Sequence, residues 1–263
     1  MKLFLGTALV EEDDARVSPF DRGFTLGDGL FETLRVKGGD VLRREAHLAR
    51  LAAGAEVLGL PLPALDLAAA LAATATANAL TEGVLRLTLT RGVGPRGVLP
   101  PAEPKPTLVI TAAPLPPAPP PARLVVARCT RRNARSPLAQ VKSLNYLDGI
   151  LARQEAARRG ADDALLLNTS DRVAETSIAN VFAVIRGELV TPPLADGVLP
   201  GVMRAAVLAQ GARERSLAPE DLDQADEIFL SSALGLRSVA DLEGRTLPSA
   251  AVAARLRALI AGA

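Results

Sequence analysis

Apolar residues recur with two different periods along this chain, and the switches between them mark out its elements. In "LFETLRV" (30–36) apolar and polar side chains alternate, and similar runs occur in "GVLRLTLTRG" (83–92) and "PTLVITAA" (106–113); a period of two predicts strands with one buried face. "LFETLRV" and "DVLRR" flank "KGGD" and read as a hairpin. Helical patterns follow the hairpin at 45–58 and 64–79. Further on, "ARLVVARC" (122–129) predicts a strand and 146–159 an amphipathic helix ended by Gly160. Strands are expected near 163–168, 180–186 and 188–191, then a helix opened at Gly201. A strand in "DEIFLSS" leads through "GLRSVADL" to a final Ala-rich helix. Strands and helices mix without a strict βαβ rhythm, and no repeat of 20–50 residues is present, which predicts an α+β fold.

The pattern is interrupted at 113–122, "APLPPAPPPA". Consecutive prolines continue neither a helix nor a central strand and favour a stiff, extended spacer. The expected organisation is a smaller N-terminal α+β domain over 1–112, a Pro-rich linker over 113–122, and a larger C-terminal α+β domain over 123–263 that carries Lys142. A cleft between two domains is a common place for a ligand.

Composition narrows the classes of function. A hydrophobic fraction of 49% argues against disorder, and a formal charge of +1 provides no field for nucleic acid or an anionic membrane. Cys129 and His47 are the sole cysteine and histidine, so neither a disulfide framework nor a His- or Cys-based metal cluster is expected. The opening "MKLFLGTALVEEDDAR" reads as a first strand rather than an export signal, because acidic residues follow the short apolar run at once. No apolar stretch reaches the roughly 18–20 residues of a membrane span. A soluble, cytoplasmic protein is expected.

Candidate chemistry begins with lysine usage. Of the 30 basic residues only Lys2, Lys37, Lys105 and Lys142 are lysine. An amine can lose its proton, attack a carbonyl and form a Schiff base, whereas guanidinium stays charged. Lys2 is terminal, Lys37 lies in a turn and Lys105 in a Pro-rich stretch; Lys142, in "QVKSLNYLDG", alone precedes an apolar helical pattern. In "RVAETSIANVF" (172–182), Glu175 stands just before a buried-looking strand. A carboxylate there either caps, faces solvent or, beside a lysine-bound cofactor, pairs with a protonated pyridine nitrogen. "PGVMRAAVLAQG" (200–211) leads into a helix whose first amides, at Val202 and Met203, have the polarity to hold a phosphate. "EAHLARL" sets His47 and Arg50 on one side of a helix: Arg50 is a candidate phosphate clamp, and His47 reads as a packed or hydrogen-bonded structural histidine.

"DRGFTLGDGLFETLRV" (21–36), "HLARL" (47–51), "KSLNYL" (142–147), "ETSIANVF" (175–182) and "GVMR" (201–204) resemble, in order and spacing, the class IV aminotransferases, which use pyridoxal 5′-phosphate. The resemblance extends over about residues 4–250. It implies a two-domain α+β fold of the D-amino-acid aminotransferase type, a homodimer, and a cofactor between the domains. By matching position it implies that Lys142 holds the cofactor as a Schiff base and moves the proton, and that Glu175 meets the pyridine nitrogen. Arg50 and the Val202 and Met203 amides would bind the phosphate, with Ser232 of "FLSSALG" as a helper.

Within that family the segments expected to face substrate most resemble the 4-amino-4-deoxychorismate lyases. Thr33 follows "FE" where branched-chain aminotransferases typically have glycine and D-amino-acid aminotransferases valine. The Tyr, Arg and His that capture a D-amino acid's carboxylate match Phe31, Arg96 and Val98, so only the arginine is kept. A lyase would release pyruvate and leave 4-aminobenzoate, an intermediate of folate synthesis. Its substrate carries two carboxylates, which makes Arg96 and Arg91 binding candidates beside Phe31, with Thr33 orienting Lys142 or the leaving group. The alternatives are an aminotransferase acting on D-amino acids, branched-chain amino acids or amines, and a silent cofactor-binding or scaffold protein.

Overall fold

Leu30, Leu34 and Val36 point alternately with Leu85, Leu87, Leu89, Leu108, Ile110 and Ala112 toward one side of a sheet, and each is almost fully buried. In the computed structural model, which describes residues 1–260, this alternation becomes the core of the first of two compact units. That unit comprises Met1–Pro117 and Val141–Asn145. Its elements are β1 (Lys2–Leu5), β2 (Ala8–Glu11), α1 (Arg22–Leu26), β3 (Gly29–Lys37), β4 (Asp40–Val41), α2 (Arg44–Leu58), α3 (Leu67–Ala77), β5 (Glu82–Thr90) and β6 (Thr107–Pro114). The strands form a six-stranded sheet in the order β2-β1-β6-β5-β3-β4. Every pairing is antiparallel, as short turns between sequential strands allow. The expected hairpin is present, with Gly38 and Gly39 at φ +60° and +87°, a conformation that glycine adopts without a Cβ clash. Its second strand is only two residues long, because "RR" already enters α2. Helices α2 and α3 cover the leucine face through Leu51, Ala55, Ala70, Leu71 and Ala75.

The second unit contains Ala118–Gln140 and the chain from Tyr146 onward. Its elements are β7 (Ala122–Val126), α4 (Leu147–Arg158), β8 (Asp163–Leu167), β9 (Val173–Thr176), β10 (Asn180–Ile185), β11 (Glu188–Thr191), α5 (Val202–Leu208), β12 (Arg213–Glu214), α6 (Pro219–Asp223), β13 (Ala225–Ser232), β14 (Gly235–Leu242), β15 (Arg245–Thr246) and α7 (Ala251–Ile260). The strand order is β12-β11-β10-β13-β14-β7-β8-β9, and β9 also pairs with β10. Six strands, β7 through β10 with β13 and β14, therefore close on themselves. Leu124, Leu165, Val181, Ile228 and Val239 belong to one core cluster of this unit. Phe182 and Phe229, opposite each other on β10 and β13, stack at 5.1 Å in a second cluster with Met203, Val207 and Leu256.

Three expectations differ from the structure. "GLRSVADL" is not a connection but strand β14, pairing antiparallel with β13 and parallel with β7. Glu175 does precede the buried strand β10, but it also lies within a short strand of its own, β9, that the pattern does not predict. The division of the chain also shifts. Pro114 still belongs to β6, and Val141–Asn145, with Lys142, belongs to the first unit rather than to the C-terminal one. The physical reason is pairing along an open stretch of β3: Phe31 N–H donates to Lys142 O (3.0 Å), Leu144 N–H donates to Gly29 O (3.0 Å), and Leu30 bridges Ser143. No helix among the described residues is long and apolar enough to cross a membrane.

Phe229→Ala should cost about 3–5 kcal/mol of stability, the range for emptying a large aromatic site in a close-packed core. The check is the denaturant midpoint; an unchanged midpoint would show that the stacked pair contributes nothing measurable.

Candidate active site

Lys142 is placed by backbone pairing before its side chain makes any contact. Opposite residues of an antiparallel pair project to one face, so the Phe31 and Lys142 side chains emerge together. Lys142 Nζ stands 4.4 Å from the centroid of the Phe31 ring, and the Arg86 guanidinium carbon stands 3.9 Å from the same centroid. A cation over an aromatic face is attracted by the ring's quadrupole. Thr33, half-buried, is two residues from Phe31 on the same face of β3 and opposite Arg86 of β5.

The other face of β3 carries Glu32, 1% exposed among leucines. Its carboxylate accepts from Arg50 Nε (2.8 Å) and Arg50 Nη2 (2.5 Å), and it lies 2.7 Å from His47 Nδ1. An ionised carboxylate only accepts, so Nδ1 carries the proton of this contact. Burial works to raise the Glu32 carboxyl, but the hydrogen bonds from His47 and Arg50 outweigh it and hold the group below the usual carboxylate range. His47 is thus buried and hydrogen-bonded, as its setting predicts, while Arg50 keeps 11% side-chain exposure at the rim of the cluster.

In the second unit Glu175 is held on both carboxylate oxygens. Arg132 Nη2 lies 3.0 Å from Oε1; Leu199 N–H (3.1 Å) and Asn180 Nδ2 (3.2 Å) donate to Oε2. Arg132 also donates to the carbonyls of Ala139 and Gly197. Asn180 reaches Leu199 O as well, in a turn so close that a Cβ on Gly201 would lie 2.0 Å from Asn180 Oδ1. Gly201 is the N-cap of α5, and no side chain caps that helix. The amides of Val202 and Met203 therefore belong to a first turn that lacks intrahelical acceptors. The Met203 side chain is buried in the core.

The remaining candidates divide. Ser232 is half-buried, and its Oγ accepts from Leu234 N–H at 3.3 Å. Its neighbour Ser231 is opposite Asn180 in register, on the Glu175 face, with Oγ buried and unpartnered among the described residues. Arg96 is exposed in the 94–99 loop, where Val98 is 84% exposed. Arg22, itself buried, fixes this loop by donating to the carbonyls of Gly97 and Val98 at 2.9 and 2.8 Å. Arg91 does not fit the substrate-binding expectation. Its Nε donates to Asp28 Oδ2, and its Nη1 and Nη2 donate to Gly59 O and Leu58 O, all at 2.8 Å. Its fork is spent closing the end of α2. Glu32, Arg86, Arg132, Asn180 and Arg22 were not legible as site residues. Of these only Glu32 leaves a signal, a lone charge in an otherwise apolar strand row.

The Amino-transferase class IV family model matches residues 29–242, and the chain belongs to that family. A crystal structure of 4-amino-4-deoxychorismate lyase from Pseudomonas aeruginosa is similar at 34% identity and TM-score 0.88, covering 99% of this chain and 98% of that one. Branched-chain aminotransferase from Thermoproteus uzoniensis, solved with norvaline, is similar at 30% identity and TM-score 0.91, over 98% and 93%. D-alanine aminotransferase of Listeria monocytogenes is 31% identical over 88% of this chain and 84% of its own length. Class IV aminotransferases use pyridoxal 5′-phosphate, and this chain is a pyridoxal phosphate-dependent enzyme of that class.

Asp28 offers a test of the arginine bracing. Burial works to raise its carboxyl, but Arg91 and Arg22 outweigh it and hold it below the ordinary range. The folded-state value is therefore below the unfolded one. The stabilisation is complete above the unfolded value of about 3.9 and is lost as pH falls through the folded value. Asp28→Asn should flatten the acid limb of a plot of Tm against pH. An acid limb identical to the parent's would exclude Asp28 as a contributor.

Proposed function

We propose that this enzyme is a 4-amino-4-deoxychorismate lyase, releasing pyruvate and leaving 4-aminobenzoate. The observation that carries the reading is Thr33, half-buried on the face of β3 that bears Phe31, with Lys142 Nζ over the Phe31 ring. Phe31 and the exposed Val98 stand where a D-amino-acid aminotransferase has its tyrosine and histidine, which argues against that carboxylate trap. Similarity to lyases as well as aminotransferases is compatible with the proposal.

The side chains of each unit, taken separately, fit parts of pyridoxal phosphate: in the first, Lys142 would supply an amine for the aldehyde and Arg50 a donor for the phosphate; in the second, Glu175 would supply a carboxylate for the pyridine nitrogen and the first turn of α5 amides for the phosphate. When bound, the cofactor supplies an electron sink to the carbon beside the substrate nitrogen. Lys142 would hold the cofactor's aldehyde, and its amine is the group that would take the proton from that carbon at Nζ. Glu175, with Arg132, Leu199 N–H and Asn180 fixing its oxygens, would hold a proton at the pyridine nitrogen. The bond to the enolpyruvyl oxygen then breaks, the leaving group takes up a proton as pyruvate, and the ring becomes aromatic. With Arg91 committed to α2, Arg86, over the Phe31 ring, replaces it as the second candidate, with Arg96, for binding the substrate's carboxylates. A cytoplasmic homodimer belongs to the same reading, as does the place in folate synthesis.

A transamination reading draws on the 30% and 31% identities to branched-chain and D-alanine aminotransferases. The two separate in one assay. With 4-amino-4-deoxychorismate made in situ, a lyase yields 4-aminobenzoate and pyruvate in equal amounts, and Lys142→Ala abolishes both. If neither forms while D-alanine or L-leucine converts the bound cofactor to its amine form, transamination replaces the proposal. Glu175→Gln should retain cofactor and lose most turnover; a wild-type rate would remove the pyridine-nitrogen role.

A further inference from the structure

The core face of β3 reads Leu30, Glu32, Leu34, Val36, and every other member of that row is apolar and buried. A charge in such a row has to offset its own desolvation. A buried ion pair is often no more stabilising than well-packed hydrophobic residues of the same volume. Stability alone is thus a weak reason for a Glu–His–Arg cluster at this position, and its geometry offers a better one.

Glu32 meets Arg50 edge-on, one carboxylate oxygen on Nε and the other on Nη2, at 2.8 and 2.5 Å. Two parallel bonds fix the plane of a guanidinium as well as its position. The carboxylate in turn is held by His47 Nδ1, 2.7 Å from Oε2, the oxygen that also meets Arg50 Nη2; His47 lies one turn before Arg50 on α2. The chain Leu30–Val36, paired with β5 along its whole length, supplies the rigid base. Arg50 alone of the three keeps appreciable exposure, 11% against 1% for Glu32 and 3% for His47. Glu32 and His47 are therefore the buried members of the cluster, and the Arg50 side chain is the one nearest its surface.

We propose that Glu32, with His47 behind it, is the positioning residue for Arg50. It aims the guanidinium at the cofactor phosphate and so sets the enzyme's preference for the phosphorylated cofactor. This inference rests on the assignment of Arg50 to the phosphate. Its test uses two ligands that share the aldehyde and ring and differ only in that group. Apo-protein is titrated with pyridoxal 5′-phosphate and with pyridoxal, and the ratio of the two Kd values reports the phosphate contribution, with the Lys142 reaction common to both.

Glu32→Gln should weaken pyridoxal phosphate by about tenfold, the lower end of what losing an outer partner costs at a tightly held metal ligand, and leave pyridoxal within about twofold by the same comparison. Arg50→Ala should collapse the ratio, and adding Glu32→Gln to it should lower the ratio no further. Equal weakening of both ligands in Glu32→Gln, or an unchanged ratio while Arg50→Ala collapses it, would overturn the positioning role. An unchanged ratio in Arg50→Ala would instead overturn the phosphate assignment. Should Glu32→Gln fail to fold, Glu32→Asp keeps the charge but shortens the reach by one methylene; a wild-type ratio in that variant would also overturn the proposal.

Discussion

The placement of the amine depends on two backbone hydrogen bonds, Phe31 N–H to Lys142 O and Leu144 N–H to Gly29 O. They make residues 141–145 a short extra partner of β3 in the first unit, although the chain on both sides belongs to the second. Two glycines make room for it. A Cβ at Gly29 would lie 2.5 Å from Leu89 O and 2.8 Å from Leu144 Cδ1, and one at Gly54 would press on Leu30 and Val141. Backbone pairing is independent of the lysine's rotamer, so the amine is delivered to the Phe31 face at little entropic cost beyond that of its own side chain.

The arginines do different work. Arg22 and Arg91 share one Asp28 oxygen and send their remaining donors to main-chain carbonyls at 97–99 and 58–59. Arg132 spans Glu175 and the carbonyls of Ala139 and Gly197, and the buried Arg204 reaches Pro192 O and Glu214. A planar fork with five donors suits the clamping of loop carbonyls, and it never loses its charge. The chain's strong bias to arginine reflects, in these cases, structural bracing. That bias is what made the single lysine outside a terminus, turn or Pro-rich stretch informative.

Legibility followed periodicity. Strands with one buried face, β3, β5 and β6, and the helices capped by glycine could be read with boundaries close to those observed. β9 could not, because its four residues, "VAET", offer neither alternation nor the continuous apolar run that marks the equally buried β8 and β10. β14 alternates imperfectly, and its parallel partner β7 lies more than a hundred residues away. Lys142 and Glu175 could be singled out as candidates because their chemistry stands out against their neighbours. Arg132 was one arginine among many, and its importance exists only once Glu175 is beside it. Arg91 was misread for the same reason, since nothing local in "TRGVG" says that its donors end on α2.

The period of two in β3 also explains how one scaffold serves several reactions. Its core face carries the leucines that pack against α2 and the carboxylate that braces Arg50. The opposite face carries Phe31 and Thr33, next to Arg86 and beneath Lys142 Nζ. A side chain can change at 31 or 33 without altering volume or charge on the core face, because adjacent residues of a strand project to opposite sides. On the proposed reading, the arginine assigned to the cofactor and the residues assigned to the substrate are thus mechanically linked through one strand yet free to differ chemically. This is the condition under which a family keeps its cofactor while changing the bond it breaks.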